Sequence, residues 1–442
     1  MTADQTDPTS SAQAPGEARI RATYRIETRY PLEQAASAMA GEQSSGSFRA
    51  LPGETPELLA RFGARVEAVE DQGEVDGEAL PLSRAPGEKP GHPNGAGAPR
   101  PRRAEVTLSW NLENTGTVLS TVWSTVLGNL FELHHFSALK LLSLDLPDAF
   151  ARAYPGPAFA VEGTRRLTAV WDRPVVGTIV KPSVGLSPTE TAALAERMIA
   201  SGLDFIKDDE LMGDPPHSPF AERLDRVMDV IDAHAERNGR RAMYAANISG
   251  DWDAMRRQLD HVERRGACAM LVLNSVGLSG VIEIRKHASV PIHGHRAGWG
   301  LFDRSPDLGM SYNAYQKFWR LAGVDHLHVN GLANKFCEGD ESVMASAREC
   351  LTPMFGAGEN PCTVMPVFSS GQSAVQAGET FRLLGTDDLI FCCGAGIIAH
   401  PDGAEAGVRS IHEAFAAAKA GISAQDYART HPALAQALQS FG

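Results

Sequence analysis

The chain has 442 residues, of which 43% are hydrophobic and 21% are charged, and these proportions exclude a disordered or fibrous class. A formal net charge of -13, without a long basic tract, argues against nucleic acid or an anionic membrane surface as a partner. Since the N-terminus has no hydrophobic signal core, no apolar run is long enough for a membrane helix and the six cysteines form no Cys-x-x-Cys pair, we expect a cytoplasmic protein with reduced thiols.

The first part of the chain predicts a small α+β domain of the ferredoxin-like kind over residues 19–150. Residues 1–18 are small and polar, which is typical of a disordered tail. A stretch rich in glycine, proline and charge predicts an exposed insertion at 70–103. The remaining pattern predicts strands over 19–30, 64–69 and 104–111, and helices over 31–41 and 118–130.

Strand-like and helix-like patterns then alternate, and we place a second domain at 160–425. Eight apolar runs predict strands at 175–182, 203–209, 242–249, 269–275, 290–296, 325–331, 363–371 and 388–396. Helical patterns between them include 187–201, 219–237, 251–265, 312–322, 341–350 and 374–384. Parallel pairing through right-handed crossovers favours a closed (β/α)8 TIM barrel. An open doubly wound sheet is the alternative, although no Gly-x-Gly-x-x-Gly sequence follows an early strand.

Polar side chains recur where the predicted barrel strands end, and this is the edge at which such barrels place their active sites. An isolated Lys-Asp-Asp-Glu run is typical of a solvated surface, but its repetition with other polar residues at one edge favours a functional site. In strand order, these side chains are Lys181, then Lys207, Asp209 and Glu210, then Asn247, then His293, His295 and Arg296, then His326 and His328, then Ser369 to Gly371, and finally Gly394 to Gly396.

The residue types at this edge suggest enolate chemistry at a divalent cation. Lys207 and Asp209 alternate to the same face of a strand, and carboxylate oxygens suit Mg²⁺. A lysine in such a site can move a proton beside a carbonyl while the metal stabilises the enolate. We predict Lys181 as this acid/base, and a salt-bridged lysine at a strand end is the alternative. Lys335 ends a loop of small residues that is either a lid over a ligand or a plain surface loop.

Other side chains at the same edge suit an anionic substrate. The guanidinium of Arg296 is a planar fork for phosphate or carboxylate. Ser369, Gly371 and Gly394 follow the seventh and eighth strands, where this fold commonly binds phosphate through backbone amides. An isolated strand histidine is more often a packing residue, but four on neighbouring strands favour an anion-handling wall.

From about residue 20 to 420 the chain resembles the large subunit of ribulose-bisphosphate carboxylase (RuBisCO). The motifs that carry the resemblance are GTIVKPSVGLS, GLDFIKDDE, HGHRAG, DHLHVNGLANK, PVFSSG and GAGIIAHPDG, in the family's order and spacing. The resemblance implies that CO₂ carbamylates Lys207 and that this carbamate, Asp209 and Glu210 hold one Mg²⁺. It further implies a proton-transferring role for Lys181.

The same resemblance assigns the remaining site residues. His295 and His328 would line the substrate site, Arg296 would hold a phosphate, and Lys335 would be the mobile-loop lysine that meets a carboxylate. The other positions that match phosphate-binding or hydroxyl-binding residues are Ser369, Gly371, Gly394 and, in the N-terminal phosphate loop, Ser47. Glu42 and Asn129 match residues that the family lends to the partner subunit, which implies a homodimer with its active site at the subunit interface.

Several positions depart from the family's pattern. The family's second lysine after Lys181 is replaced by Ser183, and its Thr-Trp phosphate loop is replaced by Ser47-Phe48. Val329 to Gly331 and Gly394 to Gly396 also differ, and the insertion at 70–103 is atypical. Losing a cation near the metal disfavours stabilisation of a carboxylase's enediolate, so CO₂ fixation is disfavoured. The chain therefore resembles the non-carboxylating branch, the form IV RuBisCO-like proteins.

Within that branch we predict a Mg²⁺-dependent lyase or hydrolase of carbohydrate metabolism. The favoured reaction is decarboxylation, or transcarboxylation with hydrolysis, of a β-keto sugar-acid phosphate such as 3-oxo-isoapionate 4-phosphate, because decarboxylation yields an enolate and Lys335 is placed to meet a carboxylate. One alternative is a methionine-salvage enzyme, either 2,3-diketo-5-methylthiopentyl-1-phosphate enolase or methylthioribulose-phosphate isomerase. Another is a barrel that serves as a scaffold without catalysis.

Overall fold

The computed structural model describes residues 18–46, 51–88 and 99–442. These fall into two compact units, the first extending to Leu139 together with Leu144–Pro147, and the second comprising Lys140–Ser143 and Asp148–Gly442. Within the described ranges, every helix falls short of the length and apolarity that a bilayer crossing requires.

The first unit contains a mixed α+β arrangement, as the pattern predicts. Strands β1 (Arg19–Thr28) and β2 (Arg65–Glu74) both pair with β3 (Arg102–Asn111) in antiparallel register, and β4 (Phe136–Asp145) lies on the other side of β1. Alternate residues of β1 and β3 are buried because a strand turns successive side chains to opposite faces. The elements are β1 Arg19–Thr28, α1 Leu32–Glu42, α2 Pro56–Phe62, β2 Arg65–Glu74, β3 Arg102–Asn111, α3 Leu119–Val126 and β4 Phe136–Asp145, with 3₁₀ turns at Leu112–Asn114 and Gly128–Glu132.

Two predictions in this unit need correction. Strand β2 continues to Glu74 and β3 begins at Arg102, so the segment predicted as an exposed insertion over 70–103 includes the ends of two paired strands. The β2 side chains are largely exposed and polar, and this removes the hydrophobic signal by which a strand is recognised. The predicted helix over 31–41 also ends too early, because α1 runs from Leu32 through Glu42. Residues 1–17 and 89–98, which hold most of the predicted tail and the middle of the insertion, lie outside the described residues.

The second unit is a closed parallel barrel, which confirms the predicted (β/α)8 TIM barrel and shows that the open-sheet alternative is wrong. The strands close in the order β5-β6-β7-β8-β9-β11-β12-β13, with β13 pairing with β5. The barrel strands are β5 Val175–Ile179, β6 Phe205–Lys207, β7 Met243–Asn247, β8 Cys268–Val272, β9 Ile292–His295, β11 His326–Asn330, β12 Met365–Phe368 and β13 Ile390–Cys392, and the short strand β10 is Leu308–Met310.

Helices connect and cover these strands. They are α4 Ala149–Ala153, α5 Ala160–Thr168, α6 Pro188–Ala200, α7 Phe220–Asn238, α8 Trp252–Arg265, α9 Leu273–Val276, α10 Leu278–His287, α11 Gly300–Asp303, α12 Tyr312–Ala322, α13 Asp340–Leu351, α14 Ala374–Leu384, α15 Ala395–Ile398, α16 Gly403–Lys419, α17 Ala424–Ala428 and α18 Pro432–Phe441. Local chemistry fixes several ends. Ser187 and Glu190 form a capping box at the start of α6, and Gly323 ends α12 in the left-handed conformation.

The barrel interior is filled by apolar side chains from several strands, among them Val175, Phe205, Met270, Val367 and Ile390. The observed strands are shorter than the predicted ones, because residues at the predicted ends lie in loops or short helices instead of the sheet. At the eighth strand the difference is largest, since β13 ends at Cys392 and Gly394 already caps helix α15. The packed core therefore supports a rim of polar loops at the carboxyl ends of the strands.

Candidate active site

The barrel brings the predicted rim residues of the second unit together at the carboxyl ends of its strands. Lys207 ends β6, Asn247 ends β7 and His295 ends β9. Parallel strands in a closed barrel deliver their last residues to the same end. Side chains from positions far apart in sequence therefore face one another here.

Lys207, the last residue of β6, is fully buried. Its Nζ donates a hydrogen bond to the carbonyl oxygen of Asp208 at 2.7 Å and lies 3.8 Å from the sulfur of Met270. Burial lowers the pKa of Lys207, and the negative charges of Glu210, Asp209 and Asp208 oppose this effect. The amine is thus favoured toward the neutral form, which is the form that can react with CO₂.

The two adjacent aspartates have different surroundings. Asp208 is completely buried and accepts hydrogen bonds from Tyr244, from Arg223 at 3.3 Å and from the Asn247 amide nitrogen at 3.0 Å. This carboxylate is therefore satisfied inside the protein and holds β6 against β7. Asp209, one residue on, faces the rim instead, as the alternation of side chains along a strand predicts.

Asp209 is part of a compact group with Lys181 and Ser183. Lys181 Nζ lies 2.5 Å from Asp209 Oδ2 and donates to Ser183 Oγ at 2.6 Å, while Ser183 Oγ donates to Asp209 Oδ2 at 3.1 Å. Burial disfavours the ionised carboxylate, but its hydrogen bonds with Lys181 and with the Leu211 amide keep the pKa of Asp209 below its usual value. The site thus holds an ionised carboxylate beside a cationic amine.

Glu210 is more exposed and faces His295, with 3.6 Å between Glu210 Oε2 and His295 Nε2. Asn247 Nδ2 donates to the carbonyl oxygens of both Asp209 and Glu210 at 3.3 Å, which fixes the turn that presents the two carboxylates. The Ala297 amide donates to His295 Nδ1 at 3.2 Å, so the proton of the neutral ring is on Nε2. Burial, followed by the charges of Lys207, Arg296 and Lys181, holds the pKa of His295 well below its usual value.

Three further histidines form a hydrogen-bonded chain that leads into the barrel. Ser369 Oγ is 3.0 Å from His328 Nδ1, His328 Nε2 is 2.8 Å from His293 Nε2, and His293 Nδ1 is 3.4 Å from His326 Nδ1. His326 Nε2 then lies 2.7 Å from Thr164 Oγ1. Burial lowers the pKa of all three rings, to about 3 for His326, so each is neutral and carries one proton.

Thr164 fixes the direction of this chain. Its hydroxyl donates to the carbonyl oxygen of Ala160, so it can only accept from His326, whose proton must then be on Nε2. His326 Nδ1 therefore accepts from His293, and His293 Nε2 accepts from His328. His328 Nδ1 is left to accept from Ser369. Both ring nitrogens of His328 are therefore engaged by protein partners. The sequence pattern does not predict the part that Thr164 plays in this chain.

Arg296 is buried beside aromatic rings, with its guanidinium 4.8 Å from the centre of Tyr312 and 5.9 Å from that of Trp299. Its Nη2 donates to Glu338 Oε2 at 2.6 Å, and this ion pair is one that the sequence pattern does not predict. Because Glu338 is forty-two positions away in the chain, only the fold brings the two together.

The loop that carries Lys335 is held by contacts to the neighbouring strand end. The Lys335 amide donates to the Ser370 carbonyl at 3.3 Å, and Gln372 Nε2 donates to the Leu332 carbonyl at 2.9 Å. The Lys335 side chain is exposed, and its Nζ lies 5.2 Å from the centre of the Phe336 ring. The Lys335 side chain thus lies at the rim, and among the described residues it makes no direct contact with Lys207, Asp209 or Glu210.

The residues predicted to bind phosphate lie in several places. Ser369 is buried against His328, whereas Gly371 is exposed with a φ of +91° that favours glycine. Gly394 precedes the short helix α15, and an added Cβ there would meet nothing within 4 Å. In the first unit, Asn129 Nδ2 donates to Glu42 Oε1 at 3.4 Å, so the structure brings this predicted pair together. Ser47 and Phe48 lie outside the described residues.

The side chains present fit a Mg²⁺ ion only if Lys207 is carbamylated. Across residues 18–46, 51–88 and 99–442, no group of three or more His, Cys, Asp or Glu side chains is arranged to hold a metal. The predicted set has two carboxylates and one lysine, and an amine becomes an oxygen donor only after reaction with CO₂. The lowered pKa of buried Lys207 favours that reaction. The three groups then supply the oxygen ligands that Mg²⁺ prefers.

Comparisons with known proteins identify relatives along nearly the whole chain. The family model described as "Ribulose bisphosphate carboxylase large chain, catalytic domain" matches residues 160–441. The 3-oxo-isoapionate-4-phosphate transcarboxylase/hydrolase of Xanthobacter autotrophicus is 49% identical over 95% of this chain and 98% of that protein. The 3-oxo-isoapionate-4-phosphate decarboxylase of Rhizobium etli is 42% identical over 96% of this chain and 98% of that protein. A rubisco-like protein from Burkholderia fungorum superimposes with a TM-score of 0.87 at 43% identity, covering 96% of this chain and all of that one.

Proposed function

Because this chain belongs to the RuBisCO large-chain family, we propose that it is an enzyme that breaks a carbon–carbon bond of a phosphorylated β-keto sugar acid. The proposed substrate is 3-oxo-isoapionate 4-phosphate, because both enzymes with which the chain is compared above are named after this compound. The observation that carries the proposal is the group formed by Lys181, Ser183 and Asp209 beside buried Lys207. It keeps a proton donor next to the proposed metal ligands and has a hydroxyl where a carboxylase has a second cation.

The proposed metal ligands are Asp209, Glu210 and the carbamate of Lys207. Held by these residues, Mg²⁺ would supply Lewis-acid polarisation of the substrate carbonyl. Asn247 holds the backbone of both carboxylates, so the ligand geometry is set before the substrate binds. Asp208 takes no part in this set, because its oxygens are already used by Arg223, Tyr244 and the Asn247 amide.

The protein side chains would then deliver one proton to the substrate. When the β-keto acid loses its carboxylate as CO₂, the electron pair of the broken C–C bond stays on the substrate, which becomes an enolate. A proton must then be added at the carbon that carried the carboxylate. Lys181 is the proposed donor, because its Nζ is cationic, about half exposed and held in place by Ser183 and Asp209. His295 presents its Nε2–H toward the same space and is the proposed donor to a substrate oxygen.

The substrate's anionic groups have separate proposed partners. Arg296 would bind one oxyanion, and the backbone around Ser369, Gly371 and Gly394 would bind the phosphate. His328 would act through Ser369, since both of its ring nitrogens are engaged. Lys335 would meet the departing carboxylate when its loop moves inward. Glu42 and Asn129 would contribute to the partner subunit's site in a homodimer.

Turnover of 3-oxo-isoapionate 4-phosphate by the purified protein tests this proposal. The reaction is run with Mg²⁺ and bicarbonate, and substrate loss, CO₂ release and glycolate formation are followed by mass spectrometry. We expect cleavage by the wild type and its loss in Lys181→Ala. Release of CO₂ alone identifies a decarboxylase, and glycolate identifies transcarboxylation with hydrolysis. Absence of cleavage by the wild type, or full activity of Lys181→Ala, would refute the proposal.

A further inference from the structure

We propose that Glu338 is a specificity-determining residue that competes with the substrate's oxyanion for Arg296. The inference rests on the proposed function only in taking Arg296 as an oxyanion-binding residue. By occupying one side of the guanidinium, the Glu338 carboxylate would weaken binding of a small free anion such as phosphate. A substrate would overcome this competition with the contacts that it makes elsewhere in the site.

The Glu338 carboxylate is fixed where an anion would bind. Arg296 Nη2 and Asn330 Nδ2 both donate to its Oε2 at 2.6 Å, and Ser342 Oγ donates to its Oε1 at 3.0 Å. The side chains of Arg296 and Glu338 are 6% and 7% exposed, so the pair is shielded from solvent. A shielded charge pair of this kind interacts strongly, because water screens it little.

Arg296 also has a donor nitrogen that no described residue uses. Its Nη1 is buried and has no hydrogen-bond partner among the described residues. An unpaired buried donor is costly, and Arg296 is further enclosed by Tyr312 and Trp299, which leave its position fixed. The guanidinium is therefore held with Nη2 paired to Glu338 and with Nη1 left without a partner among the described residues.

Glu338 belongs to the loop between β11 and α13, which also carries Lys335. The two ends of this loop are tied, because Asn330 bonds Glu338 itself and the Ala333 amide donates to Asp340 at 2.7 Å. An oxyanion that approaches Nη1 is repelled by the negative charge of Glu338. An oxyanion that binds both edges of the Arg296 guanidinium must displace the Glu338 carboxylate. In either case the same carboxylate lowers the affinity, and a dianionic phosphate is repelled more than a monoanion.

The test is isothermal titration of inorganic phosphate into the full-length protein, without Mg²⁺ or substrate. We expect Glu338→Gln to bind phosphate about tenfold more tightly than the wild type, because one competing charge is lost while the side-chain shape is kept. The matched control is Glu341→Gln, which removes the same charge from an exposed position in the first turn of α13. It should leave the phosphate affinity within about twofold of the wild type.

The double variant Arg296→Met/Glu338→Gln separates this site from any other phosphate site. The gain in affinity should vanish in the double variant, because the guanidinium that the competitor blocks is gone. The inference is overturned if Glu338→Gln binds phosphate no more tightly than the wild type, or if the gain persists without Arg296. Since no turnover is measured, failure of the proposed reaction would leave this result unchanged, and failure of the competition would leave the reaction test unchanged.

Discussion

Ser183 Oγ accepts a hydrogen bond from Lys181 Nζ at 2.6 Å and so ties the proposed proton donor to the proposed metal-binding group. The same hydroxyl donates to Asp209 at 3.1 Å, so one small side chain bridges a cation and a carboxylate. In the RuBisCO pattern this position is a second lysine. Ser183 lacks the positive charge of that lysine but still forms hydrogen bonds. Ser183 is therefore a positioning residue for Lys181.

Replacing Ser183 by alanine should lower kcat about tenfold with little change in KM. The expected loss corresponds to about 1.5 kcal/mol, the low end for a hydrogen bond to a charged group, because Lys181 is half exposed. Steady-state kinetics on 3-oxo-isoapionate 4-phosphate measure the effect. Ser201→Ala, at the other end of α6, is the control and should behave as the wild type. A kcat unchanged in Ser183→Ala would show that Lys181 is positioned without it.

Thr164 should determine the protonation pattern of the histidine chain. Thr164→Val removes the acceptor for His326 Nε2–H at 2.7 Å, and the remaining protons of His293 and His328 can then redistribute. We expect nitrogen NMR of labelled histidines to show a changed tautomer at His328. Thr164→Ser keeps the hydroxyl and should restore the wild-type spectrum. Identical spectra for the valine and serine variants would contradict the assigned direction of the chain.

His412 should make the fold sensitive to acid. Burial is the main reason that its pKa is lowered to about 4 in the folded protein, against 6.5 for the ordinary side chain. Because the folded-state pKa is the lower one, the unfolded chain binds more protons between these values. The stabilisation that neutral His412 contributes is therefore fully present above pH 6.5 and is lost as pH falls toward about 4. The free energy of unfolding falls by at most about 3 kcal/mol because of this group.

Urea unfolding at a series of pH values tests the contribution of His412. His412→Gln cannot be protonated, so its free energy of unfolding should fall less steeply than that of the wild type between pH 6.5 and 4. His234→Gln, an alteration at a partly exposed position on α7, is the control and should keep the wild-type slope. Equal slopes for the wild type and His412→Gln would show that this imidazole is not the titrating group.

The proposed homodimer predicts complementation between two inactive variants. In a mixed dimer of Glu42→Ala and Lys207→Ala subunits, one site would combine an intact barrel with an intact partner residue. Random mixing should restore about a quarter of wild-type activity, since half of the dimers are mixed and each has one complete site. The mixture is assayed after subunit exchange, with each variant alone as the control. Activity no greater than that of the separate variants would indicate that Glu42 does not serve a partner's site.

The barrel could be predicted because its strands and helices are regular. The boundaries of α8 and α12 agree with the structure to within one residue, since their apolar periodicity and terminal residues are clear. Strand β2 extends beyond the predicted 64–69, because its exposed, polar side chains give no alternating signal. A second unforeseen feature is helix α15, whose N-cap Gly394 lies where the sequence pattern predicts a strand end.

The site shows the same limit. Lys207, Asp209 and Glu210 are neighbours in sequence, so their grouping could be predicted, as could the different directions of Asp208 and Asp209. The partners Glu338 and Thr164 could not, because they meet Arg296 and His326 only across separate elements of the fold. Whether Lys335 approaches the reacting groups stays a prediction.

The central claim is that carbon–carbon cleavage depends on Lys207 as a carbamate and on Mg²⁺. The most direct measurement is the initial rate of 3-oxo-isoapionate 4-phosphate cleavage after preincubation with bicarbonate and Mg²⁺, compared with preincubation under CO₂-free conditions or with a chelator. We predict cleavage only after the complete preincubation, and none by Lys207→Ala under any condition. Cleavage by Lys207→Ala, or a wild-type rate that is unchanged by removing CO₂ and Mg²⁺, would contradict the account.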